Sequence, residues 1–62
     1  MNIEDKITIL NEDLSDLDVF VSKVDGKNEI SVRHDNGIMF FGADESLEVI
    51  NNIVRDSLVP LE

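Results

Sequence analysis

Polar and apolar residues alternate along Glu29-Ile30-Ser31-Val32-Arg33-His34. That period of two predicts a strand with one buried face. Asp35-Asn36-Gly37 follows, and then Ile38-Met39-Phe40-Phe41-Gly42. Asn-Gly between two strand-like runs predicts a hairpin, because a type I′ turn needs positive φ at both central residues. Upstream, Asp18-Val19-Phe20-Val21-Ser22-Lys23-Val24 is rich in β-branched and aromatic residues, and it reads as a further strand. The turn formers Asp25-Gly26-Lys27-Asn28 join it to the next one.

Register sorts the two faces of this meander. A turn centred on Asn36-Gly37 sets His34 opposite Met39 and Val32 opposite Phe41. A four-residue loop at Asp25 to Asn28 sets Val21 opposite Val32 and Lys23 opposite Ile30. The expected core face then carries Val19, Val21, Ile30, Val32, His34, Met39 and Phe41. Its opposite carries Phe20, Ser22, Val24, Ser31, Arg33, Ile38 and Phe40, a mixed surface with apolar members Phe20, Val24, Ile38 and Phe40.

Both ends of the chain follow a helical period. Leu47, Ile50, Ile53, Val54 and Leu58 form one stripe. Asp44 is the expected N-cap, Glu45 and Glu48 suit the positive end of the helix dipole, and Pro60 stops the pattern. At the other end, Ile3, Ile7, Leu10, Leu14 and Leu17 suit an amphipathic helix capped by Asn2. The β-branched run Ile7-Thr8-Ile9 leaves a short edge strand as the alternative there. The fold class that follows is α+β, a three-stranded antiparallel meander packed on a C-terminal helix, with an N-terminal helix before it (αβββα). The chain reads as one domain over residues 1–62, in which Leu61-Glu62 could equally be native or a tag remnant.

Composition narrows the means of stability. At 62 residues the core is thin, and chains of this size lean on disulfides, metals or self-association. There is no cysteine and only one histidine, His34, which removes disulfides and the usual zinc sets. No cofactor is expected. No run is long and apolar enough to span a bilayer, and the N-terminus lacks the basic and apolar regions of a signal peptide. The cytoplasm is the expected location.

The net charge of −9 is unevenly placed. Residues 1–18 hold Glu4, Asp5, Glu12, Asp13, Asp16 and Asp18 against Lys6. Residues 19–42 balance, with Asp25, Glu29 and Asp35 against Lys23, Lys27 and Arg33. Residues 43–62 hold Asp44, Glu45, Glu48, Asp56 and Glu62 against Arg55. Two acidic flanks therefore enclose a neutral centre, which disfavours direct binding to nucleic acid or to an anionic membrane.

Catalysis finds no support in the pattern. His34 stands alone, the serines lack a nucleophile elbow, and no glycine loop suits a phosphate. The acidic run Asn11 to Asp18 lacks the EF-hand's alternation and its central glycine. The expectation is a protein that binds rather than one that reacts. Acids spaced along a surface can imitate duplex phosphates and enter a basic nucleic-acid groove on a partner protein. The residues expected to do so are Glu12, Asp13, Asp16, Asp18, Asp44, Glu45 and Glu48. A homodimer through Phe20, Val24, Ile38 and Phe40 is the competing expectation.

The opening Met1-Asn2-Ile3-Glu4-Asp5, the turn Asp35-Asn36-Gly37, the acidic helix start Asp44-Glu45-Ser46 and the overall layout resemble phage- and prophage-encoded anti-CRISPR inhibitors. The likeness covers most of the chain in layout and a handful of residues in identity. The group it is most similar to continues into a further acidic segment and helix that have no counterpart here. The resemblance implies a small mobile-element protein that acts by binding. In that group, acidic residues dock in the nuclease site that reads the motif flanking the target.

Overall fold

A computed structural model describes residues 1–58; the expected Pro60 stop and the Leu61-Glu62 end lie outside them. The elements run α1 (Ile3–Asp13), β1 (Phe20–Lys23), β2 (Glu29–His34), β3 (Gly37–Gly42) and α2 (Leu47–Leu58). The strands form one antiparallel sheet in the order β1-β2-β3. The fold is therefore α+β with the αβββα layout.

The N-terminal segment is a helix and not an edge strand. The Asp5 N–H donates to Asn2 Oδ1 at 2.8 Å, satisfying one of the donors that every helix start leaves free. One stripe of α1 then supplies Leu10, and Leu14 follows just past its end. Both are fully buried with Val21, Ile30 and Val32 from the sheet and Ile50 and Val54 from α2. Ile3, Ile7, Leu17, Val19, Met39, Phe41, Leu47 and Leu58 pack around that cluster. Side chains from both helices meet the same sheet face, so the molecule has two layers. No described element covers the other sheet face.

Hydrogen bonds across the helical layer fix the direction of the helices. Lys6 Nζ donates to the carbonyls of Ala43 at 2.7 Å and Glu45 at 2.9 Å, near the start of α2. Further along, Asn51 Nδ2 reaches Asp13 Oδ2 at 3.4 Å. Arg55 donates to the Asp13 carbonyl at 2.7 Å and to both Asp16 carboxylate oxygens. Hence α1 and α2 lie side by side and point the same way.

Three expectations need correction. The β2–β3 register pairs His34 with Gly37 and Val32 with Met39, leaving Ile30 opposite Phe41. The loop is Asp35-Asn36, one position earlier than expected. Among the described residues only glycines have positive φ, so the turn is not type I′. Gly37 opens β3 at φ +152°, a value that side chains disfavour. Because the pairing shift is an even number of residues, every side chain keeps its expected face.

The second correction is the cap of α2. Ser46 Oγ accepts the Val49 N–H at 3.1 Å, and the Ser46 carbonyl accepts the Ile50 N–H. Ser46 is the N-cap, and Asp44 sits in the preceding turn with its carboxylate against Gly42. The third concerns Ile53, which is exposed. The inward stripe of α2 is the narrower set Leu47, Ile50, Val54 and Leu58. The β1–β2 pairing is as expected, with Val21 opposite Val32, Lys23 opposite Ile30, and Gly26 at φ +73° in the loop.

Candidate interaction surfaces

Every acid singled out in the sequence is exposed, but the fold gathers them into two groups. Glu12, Asp13, Asp16 and Asp18 follow one another through the trailing end of α1 and the loop after it, beside the second half of α2. Asp44, Glu45 and Glu48 surround the start of α2, beside Lys6. The two groups lie along one helical layer, the first beside Asn51 and Arg55 and the second around the start of α2. Among the described residues only Asp16 forms an ion pair, with Arg55 at 2.8 Å. That contact holds the Asp16 carboxyl below its ordinary range and raises the Arg55 guanidinium, in each case through the shared hydrogen bond. The charge of the other acids is directed to solvent.

Basic groups near these acids serve the fold. Lys6 closes the β3–α2 turn, and Arg55 ties α2 to the end of α1. Neither role was visible in the sequence. Each joins residues some 40 positions apart, and no local pattern encodes such a contact.

The uncovered sheet face is chemically different. Phe20, Arg33 and Ile38 form one lateral row, and Ser22, Ser31 and Phe40 form the next. The two serine hydroxyls bond each other at 3.0 Å, so the second row is low and polar over β1 and β2 and rises to an aromatic ring at Phe40. Phe20 is 62% exposed, Phe40 59% and Ile38 45%. Val24, grouped with them by sequence, is half-buried and lies just past the end of β1.

The two sheet edges also differ. Asn11 on α1 places its side-chain amide against β1, where Oδ1 accepts the Val21 N–H and Nδ2 donates to the Val21 carbonyl, both at 3.0 Å. The amide stands in for a neighbouring strand. Since Val21 spends its backbone groups on Asn11, the Val21–Val32 pair is the non-hydrogen-bonded kind. Alternation then sends the backbone groups of Ile30, Val32 and His34 toward β3, where Phe41, Met39 and Gly37 meet them. The Ala43 N–H to Asn28 carbonyl bond at 3.1 Å continues that phase. The N–H and C=O groups of Ile38 and Phe40 therefore point out of the sheet, and no described residue meets them.

His34 lines an open cleft of about 190 Å³ at the hairpin end, with Leu17, Asp18, Asp35, Asn36 and Leu58. Its Nδ1 accepts the Asn36 N–H at 3.2 Å, a turn-stabilising role. No hydroxyl-bearing side chain lines the cleft. No cluster of three potential metal ligands occurs among the described residues, and no described helix is long and apolar enough to cross a membrane.

Comparison with protein families, with curated proteins and with solved structures finds no match to this chain.

Proposed function

We propose that this chain is a small protein-binding module whose acidic helical layer occupies a basic, nucleic-acid-binding groove on a partner protein. An inhibitor or DNA mimic from a phage or prophage would act in this way. The observation that supports the reading is the distribution of charge. Acids from both ends of the sequence lie on one layer, and among the described residues only Asp16 of them is neutralised. The long-range attraction of such a surface for a basic groove falls as salt rises. Sequence resemblance to anti-CRISPR inhibitors suggests, as the probe, a guide-loaded CRISPR nuclease that reads a motif flanking its target.

The test is displacement of a fluorescent duplex carrying the flanking motif from that nuclease. The chain should displace it at about 50 mM salt and lose most of that ability by about 200 mM. A variant with Glu12, Asp13, Asp16 and Asp18 changed to amides should require substantially more protein for the same displacement. Failure to displace at low salt, or displacement indifferent to salt, would remove the reading.

A second reading rests on the uncovered sheet face. Phe20, Ile38 and Phe40 are exposed on one side of a chain too small to have much core. Association of two copies through that face, with Val24 at its margin, would cover them. Phe20→Lys should then lower the sedimenting mass from dimer to monomer, whereas a wild-type chain that is monomeric at all concentrations contradicts it.

A further inference from the structure

We infer that two copies of this chain pair edge to edge through β3, antiparallel about a two-fold axis at Met39, forming one continuous sheet. The inference rests on the second reading above, self-association, but replaces its face-to-face contact with a main-chain one.

The occupant of the β3 edge is specified by what the edge lacks. The outward N–H and C=O groups of Ile38 and Phe40 suit an extended strand, which offers donors and acceptors at matching intervals along its length. Gly37–Gly42 contains no charge, no proline and no bulge to repel one. Three antiparallel registers between copies would align outward-facing groups. Pairing Phe40 with Phe40 would enlist Gly42, whose carbonyl is already taken by the Glu45 N–H at 3.1 Å. Pairing Ile38 with Ile38 would enlist Asn36, whose N–H is already given to His34 Nδ1. Pairing Ile38 with Phe40 of the second copy, and Phe40 with its Ile38, uses the outward groups of both residues and enlists no group already bonded within the chain. That register also sets isoleucine beside phenylalanine on the uncovered face and methionine beside methionine on the helical side.

A strand edge by itself buries little surface, and α2 widens it. Asn11 fixes α1 at the β1 edge, so α2, lying beside α1 on the same face, sits toward β3. Asn51 and Arg55 mark the flank of α2 that faces α1. At 100° per residue, Val49 and Ile53 fall on the flank away from α1. They are 39% and 43% exposed. The free backbone edge and the unpartnered flank of α2 thus lie on the same side of the molecule. Of the acids expected to serve a basic partner, Asp44 lies near this seam, two residues past the end of β3. Like charges meet at the ends of the paired strands, where Asp44 of one copy approaches the Asp35 turn of the other, and Asp56 shares the α2 flank of Val49. Salt should therefore tighten this association, whereas it weakens binding to a basic groove.

The experiment is sedimentation across a concentration and salt series, on the intact chain and on two variants. The wild type should shift from monomer toward dimer mass as concentration rises, more readily in high salt. Phe40→Pro deletes an outward N–H without touching the β2 ladder, and should be monomeric while keeping native circular dichroism. Phe20→Lys, on the far strand, should dimerise as the wild type does. As a register check, Met39→Cys in this cysteine-free chain should form a disulfide-linked dimer on mild oxidation, because facing non-hydrogen-bonded positions lie close enough for an S–S bond. Lys23→Cys should not. A dimer that survives Phe40→Pro but is lost in Phe20→Lys overturns the edge pairing and keeps the face-to-face reading. A chain that is monomeric at every concentration and salt overturns both.

Discussion

The two edges of this sheet solve the same physical problem in opposite ways. At β1 the outward groups of Val21 are met by the Asn11 amide, two bonds of 3.0 Å from one side chain. At β3 the corresponding groups of Ile38 and Phe40 are met by nothing among the described residues. The difference follows from where the helices sit. Because α1 lies along the β1 edge and α2 lies beside α1, no element among the described residues flanks β3. In a chain of 62 residues, two helices cannot cover one face and both edges together. An exposed strand edge is normally shielded by charge, proline or a covering element. β1 has the cover, and β3 has none of the three.

The strongest way to break this contrast is to detach α1. Leu10→Ala removes a fully buried side chain that joins α1 to the rest of the core. It should cost about 2–5 kcal/mol. A chain of this length has a total stability of roughly 3–9 kcal/mol, so urea unfolding should show most of it gone. Next in size is Asn11→Ala, which strips β1 of its substitute neighbour and leaves part-buried backbone groups to find water. About 1–3 kcal/mol should be lost in the same measurement. Hydrogen exchange of the Val21 amide should accelerate toward the rate of the Phe40 amide in dilute protein. If Val21 stays protected in that variant, the amide is not what closes the edge.

Changes on the β3 side should be gentler on the monomer. Phe40→Pro should cost about 1 kcal/mol or less, since the lost N–H has no partner within the chain and the side chain is mostly exposed. A loss as large as that of Asn11→Ala would mean that the two edges are not different after all. The smallest effect belongs to the pair that fastens the end of α1 to α2. The folded chain holds the Asp16 carboxyl below its ordinary range through Arg55. The stability it adds is therefore fully present above the unfolded carboxyl's pKa, and is lost as pH falls through the lower, folded value. Asp16→Asn should lower the melting temperature slightly near neutrality and by a vanishing amount in strong acid. Both partners are well exposed, so high salt should shrink the difference too.

The comparison also marks where sequence reasoning worked and where it stopped. Alternation at Glu29 to His34 and the Asn2 cap are local signals, and the structure carries both out. The faces of the sheet were legible because side-chain direction depends only on whether a position is odd or even. The register itself was not legible. Asp35-Asn36 and Asn36-Gly37 both make two-residue loops, and Gly37 accommodates an unusual φ in either case. The α2 start offered two capping residues, Asp44 and Ser46, and spacing alone did not choose between them. Ile53 was misplaced because a helical stripe read from sequence has no sharp margin. Of the candidate surfaces, the exposed acids and the apolar outer face were readable from composition and period. The sealed and open edges were not, because Asn11 acts through its side chain on the backbone of Val21, ten positions away and in another element.

The Asn11 amide has one more consequence. When β3 edges join, the enlarged sheet ends on both sides at a β1 strand, and each of those strands already carries its Asn11. In the proposed pairing, further growth would meet a Val21 already bonded to Asn11 on each side, which disfavours a fibre. One neutral side chain on α1 would then limit the size of the assembly.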